Sequence, residues 1–272
     1  MEFFFDMSNS SIQKLSGGLS NEIYLINKTY IWKKIKNNYI FDHLNEVKII
    51  QTSKDINLFY HDSSNICYSY IKGKNISLSY FREHLHDVIL LSKEYHQYKI
   101  NLPNFWKDII PSWIRILPES HKMFFKKDIE NIYTKINKLT NVFNINEIGL
   151  CHHDIHSGNI IQNEKLNLID LEFSFNDFIY VDLGNIICEY FTDYQKEIYN
   201  FDLINEKIKE DVLKSYNLKV NEISLNKLNI GINISHFYWL IWGILVDFKE
   251  KKDGFNYIKF ARCRYKYLLE KV

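Results

Sequence analysis

The stretch GLCHHDIHSGNIIQNEKLNLIDLEF, residues 149–173, holds the densest group of chemically active side chains in this chain of 272 residues. Within it, two short apolar runs, Ile160–Ile161 and Leu166–Ile169, are separated by the polar turn Asn163–Lys165. Apolar runs of this length around a polar turn predict a β-hairpin. The stretch therefore predicts a hairpin that holds polar side chains at its ends.

The polar residues around this hairpin have an order that favours phosphoryl transfer. His152, Asp154 and Asn159 follow the pattern H-x-D-x-x-x-x-N before the hairpin, and Asp170 comes directly after it. Transfer of a phosphoryl group from a nucleotide needs a carboxylate that accepts a hydroxyl proton. It also needs an amide oxygen and a second carboxylate that hold magnesium against the phosphates. The pattern supplies each of these groups.

The same segment also offers zinc ligands, in Cys151, His152, His153 and His156. Four neighbours on one short segment are poorly spaced for tetrahedral ligation, and no second pair of cysteines or histidines follows. Magnesium, which prefers oxygen ligands, is therefore favoured over zinc.

The composition excludes a nucleic-acid-binding protein as the first hypothesis. The chain has 34 basic and 33 acidic side chains and a net charge of +1, which is too small for a strong electrostatic footprint. It is 46% hydrophobic and 16% aromatic, enough to bury a core of one large domain or two lobes.

Cysteine usage and the N-terminal residues predict a reduced, cytoplasmic setting. The four cysteines include no C-x-x-C pair, and the start MEFFFDMSNS has an acid where a signal peptide carries positive charge. The longest apolar run, Phe237–Val246, is about half of the roughly 20 residues that cross a bilayer, so the sequence predicts no membrane span.

Residues 1–72 predict a small unit rich in β-strands. The segment SGGLSNEIYLINKTYIWKKI, residues 16–35, has two β-rich runs joined by the polar turn Asn27–Thr29, which predicts a hairpin under a glycine loop. Helical spacing from Phe41 to Ile50 predicts a helix, and NICYSYI, residues 65–71, predicts a further strand.

Residues 73–272 are mostly helical in pattern. In residues 124–143, the apolar positions from Ile129 to Phe143 fall on one helical face, and long helical patterns run to the end of the chain. The predicted architecture is a small α/β lobe and a larger helical lobe.

The glycine-rich segment suggests where a nucleotide would bind. Gly17 and Gly18, with Ser20 and Asn21, predict a loop that lies close to phosphates, although a paired glycine alone marks only a turn. A lysine on the following strand would neutralise the phosphates and pair with Glu46. Strand phase leaves two candidates open, Lys33 and Lys34.

Two segments resemble the phosphotransferase loop and the metal-binding strand shared by choline/ethanolamine kinases, aminoglycoside phosphotransferases and related small-molecule kinases. They are CHHDIHSGNII, residues 151–161, and LIDLEF, residues 168–173. Residues 169–194 and the aromatic segments 235–248 and 255–268 resemble the choline/ethanolamine kinase family in particular. The resemblance covers nearly the whole chain.

This resemblance implies an α+β, protein-kinase-like bilobal fold. Residues 1–72 would be the nucleotide-binding lobe, and residues 73–272 the catalytic and substrate-binding lobe. It implies that Asp154 is the catalytic base, that His152 braces its loop, that Asn159 and Asp170 bind Mg²⁺, and that Glu172 supports the metal or the base. Lys33 fits the basic position that contacts the phosphates of ATP.

The resemblance also implies a site for the cationic end of the substrate. A quaternary ammonium group has no hydrogen to donate, so it needs aromatic faces and a nearby carboxylate. The implied rings are Phe173, Tyr194, Trp239, Trp242, Phe255 and Phe260. Glu189 would supply the negative charge, and Asp154 would also contact the substrate. Phe173 and Phe260 stand where the family more often has tyrosine, Tyr190 replaces a usual tryptophan, and His153 replaces a usual asparagine.

The sequence thus predicts a choline kinase that uses ATP and Mg²⁺. Ethanolamine, thiamine or an aminoglycoside as substrate remains an alternative, and so does a catalytically silent protein that binds nucleotide or choline. The sequence predicts a small-molecule substrate and no nucleic-acid partner. It leaves open the nucleotide preference and whether the chain forms a homodimer.

Overall fold

The computed structural model describes residues 10–15, 21–36, 43–249 and 254–272. These residues form two compact units. The first unit contains the described part of residues 1–73 together with Asp170–Phe173, and the second contains Lys74–Ile169 and the described part of residues 174–272. The predicted division into a nucleotide-binding and a catalytic lobe after residue 72 stays a prediction.

The first unit is an antiparallel sheet accompanied by a helix. Its elements are β1 (Ile12–Leu15), β2 (Glu22–Ile26), β3 (Tyr30–Lys34), α1 (His43–Thr52), β4 (Leu58–His61) and β5 (Asn65–Ser69). The strand order is β1-β2-β3-β5-β4. Helix α1 packs against the short turn Leu171–Phe173, which comes from a distant part of the sequence.

The predicted hairpin is β2–β3. Its turn places Asn27 and Lys28 in the left-handed region, with φ of 52° and 55°, and the Thr29 N–H donates to the Ile26 carbonyl. The strand predicted at residues 65–71 is confirmed over residues 65–69 as β5, and the last two predicted residues follow it outside the strand. The predicted helix is confirmed from His43 onward, and its earlier part, including Phe41, lies outside the described residues.

The second unit is mostly helical, and short strand pairs join its helices. Its helices are α2 (Leu78–Glu83), α3 (Leu85–Tyr95), α4 (Ile110–Ile116), α5 (Lys126–Leu139), α6 (Ile179–Tyr190), α7 (Glu206–Ser215), α8 (Glu222–Phe248) and α9 (Tyr257–Lys271). Its strands are β6 (Lys74–Asn75), β7 (Ser120–His121), β8 (Phe124–Phe125), β9 (Ile148–Cys151), β10 (Ile160–Gln162), β11 (Leu166–Leu168), β12 (Phe175–Phe178), β13 (Thr192–Asp193) and β14 (Ile198–Tyr199).

The hairpin predicted from the opening stretch is β10–β11, where Ile160 pairs with Leu168 in antiparallel register. Strand β6 extends this sheet, and β9 pairs with β12. The chain between β9 and β10 is the loop that holds His152, Asp154 and Asn159.

Helices α6, α8 and α9 form the core of the second unit. Helices α6 and α8 cross at a pair of glycines, because a Cβ atom on Gly184 would lie 2.5 Å from the main chain of Gly231. Only glycine allows two helix backbones to approach this closely. The crossing sets α8, with its tryptophans, directly beside α6.

Helix α8 is long and apolar enough to cross a membrane by length and composition alone. The apolar run Phe237–Val246 is only part of this helix of 27 residues. The sequence interpretation, which considered that run alone, therefore underestimated the length of the apolar helix. In the structure, 94% of its most apolar window is buried inside the protein. The apolar surface of α8 is covered by α6 and α9, as in a core helix.

Candidate functional site

The loop His152–Asn159, called here the Asp154 loop, is fastened by side chains of helix α6. Asp182 accepts the main-chain N–H of His152 through Oδ2 at 2.8 Å and that of His153 through Oδ1 at 2.7 Å. Asn185 accepts the N–H of Ile155 at 2.8 Å. Because these groups are fully buried, the loop conformation is fixed by bonds that water cannot replace.

His152 holds the loop to the hairpin. Its Nε2 donates to the carbonyl of Ile169 at 2.9 Å, and its Nδ1 accepts the N–H of Asp154 at 3.3 Å. The carbonyl can only accept, so the neutral ring carries its proton on Nε2. The loop and the end of β11 are therefore joined through one imidazole ring.

The carboxylate of Asp154 is oriented by its neighbours in the same loop. Asn159 Nδ2 donates to Oδ2 of Asp154 at 2.8 Å and to its carbonyl at 3.0 Å. His156 Nε2 lies 3.7 Å from the same Oδ2. Burial raises the pKa of Asp154, but His156, His152 and Asn159 together outweigh burial and lower the pKa below its ordinary value. Asp154 is thus a fixed carboxylate with proton-accepting oxygens.

In the first unit, Lys33 lies among three carboxylates. Its Nζ is 3.0 Å from Glu46 Oε2, 2.9 Å from Asp170 Oδ1 and 3.1 Å from Glu172 Oε2. The lysine side chain is 1% exposed, whereas Lys34 is exposed on the other face of β3. Of the two predicted lysines, only Lys33 has carboxylate partners of this kind among the described residues.

The charges of this cluster do not balance. Burial would lower the pKa of Lys33, but Asp170, Glu172 and Glu46 outweigh it and raise that pKa well above its usual value. Burial and the two other carboxylates raise the pKa of Glu172 to about 7, against the pull of Lys33. One cation faces three acidic groups, so the cluster has acidic oxygens in excess.

This excess of acidic oxygens fits a hard divalent cation. Asp170 sits in the left-handed region with φ of 59°, a position set by the turn that follows β11. In the second unit, the Asn159 amide uses its nitrogen to bind Asp154, which leaves its oxygen as a ligand for a metal. The carboxylates of Asp170 and Glu172 therefore fit Mg²⁺ within the first unit, and the Asn159 amide oxygen is a donor of the same class within the second.

Asn21 fastens strand β2 to this cluster. Its amide nitrogen donates to Glu172, and its oxygen accepts the N–H of Lys36 at 3.1 Å. Both ends of the side chain are engaged within the unit. Gly17, Gly18 and Ser20, the other predicted residues of the glycine loop, lie outside the described residues.

Five of the six predicted rings come together in the second unit. Trp239 and Trp242 stand edge to face, 5.1 Å apart, and both approach Phe260, at 6.1 and 5.9 Å. Phe255 lies 5.6 Å from Phe260, and Tyr194 lies 6.2 Å from Phe255. These five rings are called here the aromatic group. Phe173 is buried in the first unit.

Glu189 is paired with a residue that the sequence interpretation did not single out. Arg264 of α9 places Nη2 3.2 Å from Glu189 Oε1. Burial raises the pKa of Glu189, and Arg264 opposes that rise. Arg264 lies in a segment that was matched to the family without a role for each residue, and spacing along the sequence gives no signal that pairs it with Glu189, 75 residues away.

Two further residues were missed. Asp182 sits inside a segment that was matched to a family pattern without a role for each residue. His96 binds Asp182 through Nε2 at 3.0 Å and Tyr216 through Nδ1 at 2.8 Å. Cys151 Sγ lies close to both, but it contacts the main-chain carbonyls of Asp177 and Phe178. Within the described residues, this group is hydrogen-bonded as a brace for the Asp154 loop.

The fold places the chain in a recognised class. Across 96% of its length it superposes on an ADP-bound aminoglycoside phosphotransferase, covering 92% of that chain, with a TM-score of 0.58 and 18% identity. The superposition on an ethanolamine kinase of Plasmodium vivax covers 100% of this chain and 86% of the other, with a TM-score of 0.82 and 16% identity. The chain has the kinase-like fold of the small-molecule phosphotransferases.

Sequence comparison narrows this class to a family. The family model described as choline/ethanolamine kinase matches residues 12–269. A probable ethanolamine kinase A of Dictyostelium discoideum is 25% identical, with 94% of this chain and 83% of the relative covered. A probable choline kinase 3 of Arabidopsis thaliana is 26% identical, with 72% of this chain and 63% of the relative covered. The chain belongs to the choline/ethanolamine kinase family, whose members are ATP-dependent phosphotransferases with an alcohol group as acceptor.

Proposed function

We propose that the chain transfers the γ-phosphate of ATP to the hydroxyl of choline and so produces phosphocholine and ADP. The observation that carries this proposal is the aromatic group together with the buried carboxylate of Glu189. Ring faces attract a methylated ammonium group, and they do so best where water is excluded. Trp239 and Trp242 are 4% and 6% exposed, so their rings meet that condition.

In the proposed mechanism, Asp154 accepts the proton of the choline hydroxyl as that oxygen attacks the γ-phosphorus in line. The bond from this phosphorus to the bridging oxygen of ADP breaks in the same step. Asp154 suits the role because His152, His156 and Asn159 hold it as an oriented carboxylate. Asp182 keeps the loop in place, so no reorganisation is needed during the reaction.

Magnesium, held by Asn159 and Asp170 with support from Glu172, would neutralise phosphate charge when it is bound. Lys33 contributes a fixed positive charge for the ATP phosphates, and Glu46 keeps that charge in position. Lys33 is thus assigned the phosphate contact in preference to Lys34. Gly17, Gly18, Ser20 and Asn21 are assigned to the loop near the phosphates.

The composition of the aromatic group favours choline over an aminoglycoside as the acceptor. An aminoglycoside carries several amines and would require several acidic groups around it. The aromatic group offers mainly ring faces, with Glu189 as its nearby carboxylate. Relatives bear the names of both choline and ethanolamine kinases, so the choice between these two substrates rests on the site itself.

The test is ADP release with ATP and Mg²⁺ against choline, ethanolamine, thiamine and an aminoglycoside. We expect choline to give the highest kcat/KM. Turnover on ethanolamine alone would keep the reaction and reject the choline assignment. Absence of turnover with every acceptor, in protein that still binds nucleotide, would support a silent binding protein. A cytoplasmic location stays a prediction.

A further inference from the structure

His153 of the Asp154 loop adopts a main-chain conformation that few residues other than glycine adopt. Its φ is 64°, in the left-handed region, and its side chain is fully buried. Histidine, asparagine and aspartate accept this region more readily than other residues with a side chain. Such a residue keeps a strained conformation only where its surroundings hold it, and these positions cluster at active sites. His153 directly precedes Asp154, so its conformation determines how the chain enters that residue.

Hydrogen bonds hold the main chain on both sides of His153. Its N–H donates to Oδ1 of Asp182 at 2.7 Å, and its carbonyl accepts the hydroxyl of Tyr238 at 2.5 Å. The N–H of Asp154, in the same peptide group as that carbonyl, donates to Nδ1 of His152 at 3.3 Å. Because a peptide group is planar, bonds at both of its ends fix its orientation. The start of Asp154 is therefore held in one direction.

The ring of His153 reaches a different element, the strand β12. Its Nε2 lies 3.2 Å from Oδ2 of Asp177, and both side chains are 0% exposed. The carboxylate accepts, so the ring donates through Nε2. The ring also packs against Phe105, with 4.2 Å between the ring centroids, and meets Tyr238 edge to face at 5.8 Å. Burial raises the pKa of Asp177, and the hydrogen bond from His153 is the strongest influence against that rise.

Asp177 is itself held in place. Its Oδ1 accepts the N–H of Phe178 at 2.8 Å, and its strand pairs with β9, the strand that leads into the Asp154 loop. If His153 left the left-handed region, its ring would move away from Asp177 and leave a buried carboxylate without this donor. An unpaired buried group of this kind is costly, so the contact with Asp177 opposes relaxation of the turn.

This inference rests on the proposed role of Asp154 as the base. We propose that His153 is a positioning residue: its ring, hydrogen-bonded to Asp177, holds the left-handed turn that directs the carboxylate of Asp154 at the substrate hydroxyl. The sequence showed His153 only as a departure from the asparagine that is usual in the family. Asparagine also accepts the left-handed region, but its shorter side chain does not extend as far as Nε2 of histidine. The contact with Asp177 therefore belongs to this histidine.

The first experiment is His153→Leu, which is similar in size and removes the donor to Asp177. The kcat and the KM values for ATP and for the acceptor are measured with the best acceptor of the unaltered chain. We expect kcat to fall about 10-fold to 100-fold, because a small misplacement of a catalytic group is this costly. Both KM values should stay within about threefold, since the direction of Asp154 matters in the transition state and not for binding.

His153→Gln is the conservative variant. Its amide nitrogen is as many bonds from Cα as Nε2 of histidine, so it donates to Asp177 again. It should recover kcat to within about threefold of the unaltered chain. An equally low kcat in His153→Gln and His153→Leu would show that the contact with Asp177 does not position the base, and it would overturn the proposal.

The second experiment approaches the same contact from β12. Asp177→Leu leaves His153 in the chain but removes its acceptor, and a double variant that combines it with His153→Leu removes both partners. If the two residues act through one hydrogen bond, each single variant loses about as much kcat as the double variant. Losses that multiply in the double variant would mean that the residues act separately, and they would overturn the proposal.

The double variant also decides the matter if a single variant does not fold, because it leaves neither partner of this hydrogen bond buried and unpaired. Its kcat should again be about 10-fold to 100-fold low. A near-normal kcat in the folded double variant would overturn the proposal.

His121→Leu is the matched control, because His121 also meets a carboxylate through Nε2, that of Asp247 at 2.6 Å, and lies on the β7–β8 pair of strands. It should lower the thermal unfolding midpoint and leave kcat unchanged. The same result for His153→Leu would mean that His153 serves stability alone, and it would overturn the proposal. Absence of turnover in the unaltered chain with every acceptor would instead reject the proposed function, and this inference with it.

Discussion

Asp182 of helix α6 fastens the start of the Asp154 loop. Each of its carboxylate oxygens accepts a main-chain N–H, and Oδ2 also binds His96. An asparagine could accept only one of these N–H groups and would turn its own amide hydrogens toward the other.

Asp182→Asn should therefore lower the free energy of unfolding by about 2–4 kcal/mol and reduce turnover. Denaturant unfolding followed by circular dichroism measures the change. Asp211→Asn is the control, because Asp211 forms a surface pair with Lys207 and should change stability by less than about 0.5 kcal/mol. A stable Asp182→Asn would show that the loop does not depend on this brace.

The lowered pKa of Asp182 predicts how the free energy of unfolding depends on pH. Burial raises the pKa of Asp182, but His96, His153 and the loop N–H of His152 outweigh burial and lower it from 3.8 to about 2. Because the folded pKa lies below the unfolded one, Asp182 stabilises the fold above pH 3.8 and loses this contribution as pH falls toward 2. The unaltered chain should thus lose stability more steeply below pH 4 than Asp182→Asn. An equal loss of unfolding free energy with falling pH in the two proteins would contradict this.

The carboxylates around Lys33 predict a response to magnesium. Mg²⁺ should raise the thermal unfolding midpoint by roughly 2 °C or more, because it binds the folded chain and relieves repulsion among Asp170, Glu172 and Glu46. Asp170→Asn should abolish most of this rise, and asparagine tolerates the left-handed backbone at this position. Equal stabilisation of both proteins, measured at constant ionic strength, would place the metal elsewhere.

At the scale of elements, the crossing of α6 and α8 depends on the close approach of their main chains at Gly184 and Gly231. A Cβ atom on Gly231 would fall on the main-chain carbonyl of Tyr180, which cannot move away. Gly231→Ala should cost about 1–3 kcal/mol in unfolding free energy and lower the activity. Gly243→Ala is the matched comparison, since its Cβ would lie 3.2 Å from both the Ala261 side chain and the Tyr257 carbonyl, against 2.0 Å from the Tyr180 carbonyl for Gly231, and it should cost less. The reverse order of the two costs would contradict this packing.

The local sequence pattern predicted best those helices and strands that bury one face and expose the other. The β10–β11 hairpin and helix α5 follow from polar turns and apolar spacing. The α5 pattern fails at its end. Leu139 is exposed because the helix ends there and the chain tightens into a 3₁₀ turn, and Phe143 lies beyond that turn. Strand phase left Lys33 and Lys34 open because both faces of β3 are covered at Trp32 and Lys33.

At the scale of the molecule, the parts that escaped prediction are those joined across long stretches of sequence. Arg264 meets Glu189 across 75 residues, and His96 meets Asp182 across 86. Spacing and periodicity carry no information about such pairs. The order of His152, Asp154, Asn159 and Asp170 could be predicted because the chemistry requires these groups near one hairpin. Asp170–Phe173 joining the first unit could not be predicted from composition.

The central claim is that Asp154 is the base of an alcohol phosphotransferase, and Asp154→Asn tests it most directly. Its turnover of ATP with choline is compared with that of the unaltered chain, while nucleotide binding is measured in the same samples. We predict a loss of at least about 100-fold in kcat with nucleotide binding retained, because the amide cannot take the hydroxyl proton. Near-normal kcat in the folded variant would contradict the account.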